Sequence, residues 1–112
     1  MAEAVSSVLG FEQITGLTVV KPLASIPLEA DGVTKKRCIA TIQCDPFISG
    51  AAGAGVRYMD SGADPTVDVG FYLAPGASIK TATSLQSLKF IGVAAPARLT
   101  VRYEAFPGPF YA

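Results

Sequence analysis

The chain has 112 residues, 50% of them hydrophobic and 16% charged, with 9 Lys plus Arg against 9 Asp plus Glu and no histidine. That length makes one domain with one two-layer core. Zero net charge gives no general pull toward nucleic acid or an anionic membrane, and the commonest general base and metal ligand is missing.

High apolar content without net charge also removes the repulsion that keeps free monomers apart, so the composition suits a subunit of an assembly. No apolar run reaches the roughly 18 residues that a membrane-spanning helix needs. Met1-Ala2-Glu3-Ala4-Val5 carries an early acid and no basic stretch, so no Sec signal peptide is expected.

Residues 1–10 carry no firm pattern. Val5, Val8 and Leu9 suit a short helical turn that Gly10 stops, and the segment reads as an arm ordered by a partner. Leu17-Thr18-Val19-Val20 is a short β-prone run, after which Pro22 and Pro27 allow only an edge strand or extended loop. Glu29-Ala30-Asp31-Gly32 is a turn. From Lys35 to Asp45, Cys38, Ala40, Ile42 and Cys44 alternate with Ile39, Thr41 and Gln43, which predicts a strand with one wholly apolar face. Cys38 and Cys44 would then lie roughly 20 Å apart on that face, too far for a disulfide. Lys35-Lys36-Arg37 reads as a solvated strand end rather than a phosphate site.

Residues 49–55, Ser-Gly-Ala-Ala-Gly-Ala-Gly, lack the Gly-Lys-Ser/Thr of a phosphate-binding loop and read as a hairpin loop. Val56–Asp60 and Thr66–Leu73 are expected to pair across a turn at Gly62 and Pro65, with Val67, Val69, Phe71 and Leu73 on one face. Ser78–Thr83 reads as an edge strand, Ser84–Ser87 as a turn carrying Leu85 inward, and Leu88–Val93 as a central strand. In Arg98–Glu104, Leu99, Val101 and Tyr103 point in, and Arg98, Thr100, Arg102 and Glu104 point out. The tail from Ala105 holds Phe106, Phe110 and Tyr111 among prolines and cannot join a central strand. The whole predicts an all-β antiparallel sandwich or jelly-roll-like barrel of about seven to eight short strands. Residues 1–10 form an arm, 11–104 the domain and 105–112 a tail.

Catalytic patterns are absent. No serine sits in Gly-x-Ser-x-Gly, and neither cysteine has an imidazole to activate it. Asp60, Asp64 and Asp68 would hold a cation only if their loop folded back, and turn-forming carboxylates are the simpler reading. Arg57, Arg98 and Arg102 would share an outer face if their strands are neighbours, and Tyr58, Tyr72 and Tyr103 would then complete a platform for nucleic acid or sugar. A solvated face or an inter-subunit contact is the simpler reading of these as well.

Val56-Arg57-Tyr58, Asp60-Ser61-Gly62, Asp64-Pro65-Thr66, Val69-Gly70, Lys89-Phe90-Ile91 and Leu99-Thr100-Val101-Arg102-Tyr103 together resemble a pattern in small structural proteins of tailed bacteriophages. The likeness covers the C-terminal half, and the glycine-rich loop and the Pro-aromatic tail depart from it. It implies a β-sandwich virion component with no catalytic residue to carry over.

The expected role is therefore non-enzymatic: a capsid decoration (cement) protein, assembled into the virion in the host cytoplasm. Its partners would be further copies of itself, a homotrimer being the form the role suggests, and a major capsid protein. No cofactor, metal, nucleic acid or membrane is expected. Val5, Val8, Leu9, Phe106, Phe110 and Tyr111 are the candidate assembly contacts, and Arg57, Arg98 and Arg102 the candidate outer-face contacts. The alternatives are a head–tail or tail component, or a surface module binding host glycans.

Overall fold

The structure is a computed structural model, and it describes residues 8–82 and 85–105. Ten strands follow in order: β1 (Val8–Ile14), β2 (Lys21–Pro22), β3 (Ile39–Cys44), β4 (Phe47–Ile48), β5 (Ala51–Ala52), β6 (Val56–Met59), β7 (Phe71–Leu73), β8 (Ser78–Thr81), β9 (Lys89–Gly92) and β10 (Leu99–Glu104). A 3-10 turn, Leu85–Ser87, lies between β8 and β9 and buries Leu85.

Eight of the strands form two antiparallel four-stranded sheets. Sheet A runs β1-β10-β3-β8 and sheet B runs β2-β9-β6-β7, while β4 and β5 make a separate small hairpin. The pairs nest: β1 with β10, β2 with β9, β3 with β8, β6 with β7. The chain is thus one long hairpin, bent back at residues 60–70 and rolled so that β10 also meets β3 and β9 also meets β6. This is an antiparallel β-sandwich with jelly-roll winding. The molecule is elongated, 47 × 28 × 22 Å.

Alternation builds the core. Ala40, Ile42 and Cys44 on β3 and Leu99, Val101 and Tyr103 on β10 are wholly buried, facing Val56, Leu73 and Phe90 of sheet B. Cys38, just before β3, is buried beside them. Both cysteines are free thiols. Leu17, Leu23 and Ile26 come from the connections and close the side of the sandwich.

A carboxylate turned inward holds that side. Glu12 of β1 accepts the hydroxyl of buried Tyr103, and also the N–H groups of Ala24 and Ser25 at 3.2 and 2.9 Å. One side chain thus ties the edge of sheet A to the segment crossing toward sheet B. Three donors converge on this half-buried carboxylate, which makes it a strong local tie.

Four expectations are corrected. β1 begins at Val8, so Val8–Gly10 belong to the sheet and not to an arm, whereas Leu17–Val20 forms no strand. The segment 66–70 is also not strand. There the Thr66 hydroxyl takes the N–H groups of Asp68 and Val69 at 3.2 and 3.0 Å, and Gly70 adopts φ 130°. This local capture outcompetes a sheet ladder, so Val67 and Val69 are exposed; Phe71, although in β7, is exposed too, and only Leu73 of that set is buried. The predicted strand from Lys35 is ordered into the sheet only from Ile39.

Burial governs how the core titrates. Desolvation, with the charge of Asp45 adding to it, pushes the Cys44 thiol from 9.0 up to about 11. Desolvation and the bond to Glu12 push the Tyr103 hydroxyl up as well. The unfolded chain therefore loses these protons first. Their contribution to stability is fully present below pH 9.0 and drains as pH rises toward about 11 for Cys44, with Tyr103 acting in the same direction. Urea midpoints are expected to fall across that window, and Cys44→Ala to flatten part of the slope. A midpoint flat up to pH 11 would contradict it.

Candidate interaction surface

The outer face of sheet A is a ladder of side-chain rows. Gln13, Thr100, Gln43 and Ser78 form one row, Phe11, Arg102, Thr41 and Lys80 the next, and Val8, Glu104 and Ile39 a third. A shallow depression of 460 Å³, lined by Val8 and members of the first two rows, runs across it. At its β1 end Phe11 is 73% exposed and Val8 62% exposed. At its floor the Thr41 hydroxyl oxygen is buried without a hydrogen-bond partner. Leaving such a group unpaired costs about 1–3 kcal/mol.

β1 is also an open edge. Among the described residues, no backbone bond reaches it from the side away from β10. The register shifts between Val8 and Gly10, so Leu9 is the extra residue of a bulge and turns to pack against the core. Of the candidate assembly contacts, Val8 is therefore available to a partner and Leu9 is largely spent. Val5, Phe106, Phe110 and Tyr111 lie outside the described residues.

The three candidate outer-face arginines do not meet. Arg57 lies on β6 in sheet B, and Arg98 and Arg102 belong to the β10 region of sheet A. Arg57 works inside its own chain: Nε donates to the Val67 carbonyl at 3.1 Å and a terminal nitrogen to the Gly70 carbonyl at 3.0 Å, with the guanidinium carbon 5.4 Å from the Tyr72 ring centre. It pins the 66–70 loop. Arg98 is paired at 2.5 Å with Asp45, which is 6% exposed and also accepts the Thr100 hydroxyl at 2.9 Å. Arg102 is half exposed and 3.5 Å from Glu104, a surface pair worth about 0–1 kcal/mol. The tyrosines separate too: Tyr103 is buried, Tyr58 half-buried against Phe90 and Phe71, and Tyr72 exposed.

Asp45 anchors the end of the sandwich where residues 15–20, 45–55, 74–77 and 93–98 converge. Its N–H donates to the Arg98 carbonyl at 2.9 Å, Ala54 N–H to the Pro96 carbonyl and Gly92 N–H to the Leu17 carbonyl, both at 2.8 Å. The glycine-rich run serves this packing. Ser49 and Gly50, both at positive φ, turn the β4–β5 hairpin, and Gly53 lets the chain pass so close to Asp45 that an added Cβ would lie 2.3 Å from its carbonyl oxygen. At the opposite end, Lys35, Lys36 and Arg37 border a small pocket of 180 Å³ beside Cys38 and Leu85. Asp64 there is paired with Lys89 at 3.1 Å, and among the described residues no three acidic or thiol groups stand together as a metal site.

No protein-family model matches the chain, and neither a curated protein nor a solved structure matches it.

The close passage at residue 53 makes a sharp test of this end. Gly53→Ala is expected to cost about 1–3 kcal/mol because the obstacle is backbone. Gly55→Ala is expected to cost less, because its obstacle is the ring of half-exposed Tyr72, which can swing aside. Chemical denaturation of both variants checks the order.

Proposed function

We propose that this chain is a non-enzymatic structural subunit of a tailed-phage virion, and that its role is capsid decoration. One observation carries the assembly reading: its polar machinery is largely spent on its own fold, while an open sheet edge with exposed apolar groups is left over. Glu12, Asp45, Arg57 and Arg98 each bind elements of the same chain. Among the described residues, the surfaces left for a partner include the edge of β1 with Val8 and Phe11, the depression beside it, and the apolar tip of Val67, Val69 and Phe71.

The phage assignment rests on the resemblance of the Val56–Tyr103 segments, and the jelly-roll winding suits it, since that fold is common in capsid components. A cement role asks for modest contacts repeated over a symmetric shell, so that multivalency supplies the hold. The chain's zero net charge and exposed apolar groups fit such contacts to further copies of itself and to a major capsid protein. A glycan-binding role is less well supported, because the arginines and tyrosines that would form its platform lie on different sheets or in the core.

The test is sedimentation with heads assembled from the major capsid protein of the phage that encodes this chain. Assembled heads are expected to carry the protein down and to withstand higher temperature with it than without it. Heads that neither bind it nor gain heat resistance would defeat the proposal.

A further inference from the structure

We infer that two copies of this chain join through β1, antiparallel and about a two-fold axis, to make one continuous eight-stranded sheet. The argument begins with the four edges of the sandwich. β2 is two residues long and consists of Lys21 and Pro22, a charge and a residue without an N–H. β7 has three residues. β8 carries the exposed Lys80. Short strands, edge lysines and prolines are the devices that keep sheets from adding strands. β1 has seven residues and only a bulge at its beginning, with no proline and no lysine.

The charge pattern of β1 favours its own kind as partner. Its single charged residue, Glu12, is turned inward and engaged by Tyr103, Ala24 and Ser25. The crossing segment reaches β1 through that side chain and leaves the strand's backbone edge open. With Phe11 on the two-fold axis, the two Phe11 rings face each other across the new pair, an aromatic cross-strand contact. Each Glu12 then lies opposite Gly10 of the second copy, so no like charges meet. The two Phe11 rings would shield one another, and the depressions of the two A sheets would run on from one copy to the next.

This arrangement is isologous and closes at two copies. A ring of three built on β1 would need a second, different open edge on each copy, and the other three are guarded. The inference stands apart from the virion reading, because pairing through β1 needs no capsid and is read in buffer.

Light scattering across a dilution series is the test. The protein is expected at twice its 11.6 kDa chain mass, and Phe11→Lys, which sets two ammonium groups face to face, is expected to return it to the single-chain mass. Val33→Lys, at a site 78% exposed on the 29–34 turn, should leave the mass unchanged. Phe11→Cys should cross-link two chains under oxidation, and Val33→Cys should not. A monomer or a trimer at all concentrations would overturn the inference, as would a dimer that survives Phe11→Lys and resists cross-linking through residue 11.

Discussion

The inward turn of the Glu12 carboxylate is the constraint on which much else depends. A half-buried carboxylate needs donors on the side it turns from water, and this one has a phenol and two amides. Meeting that demand fixes the register of β1 on β10, because Tyr103 must lie within reach. It also fixes the path of residues 23–26, which bring Leu23 and Ile26 down over the side of the core. And it leaves β1 with an outer face free of charge.

A buried charge does the corresponding work at one end. Asp45 gathers Arg98 and Thr100, and the backbone bonds around it bind four connections into one packed surface. Removing one member of such a pair commonly costs about 3–5 kcal/mol, whereas replacing both with apolar groups costs little. The pair is therefore best understood as fixing which loops meet. At the opposite end the chain is held by side-chain-to-backbone turns at Asp31 and Thr66 and by the reach of Arg57.

How much of this was legible follows from the residues. β10 and β3 declare themselves, because Leu99, Val101 and Tyr103, and Ala40, Ile42 and Cys44, keep period two with polar neighbours. β1 hides because its pattern is inverted: Glu12 faces in and Phe11 faces out, and a bulge shifts Leu9. The Tyr103 hydroxyl, 91 residues away, and the amides of Ala24 and Ser25 make that orientation sensible. The Val67–Leu73 alternation misleads for the opposite reason, since its pattern suits a strand but Thr66 and Gly70 hold a loop. The separation of Arg57 from Arg98 and Arg102 follows from strand order, which short strands do not encode locally. The edge site needed both pieces of hidden information, the existence of β1 and its place at the border of sheet A.

The nested pairing also sets a timetable for synthesis. Strands β6 and β7 are neighbours along the chain and can meet as soon as both are made, and each further pair adds an outer layer to the ribbon. The strand made first is the one that must wait longest, for β10 is the last strand to appear. Loop-closure entropy makes that final docking slow as well as late. Until then Glu12 keeps its water and Phe11 belongs to no sheet, so a crowded ribosome cluster holds many copies of an unpaired strand at once. For a chain of this winding, the pace of translation bears on whether β1 first finds β10 of its own molecule or a β10 emerging nearby.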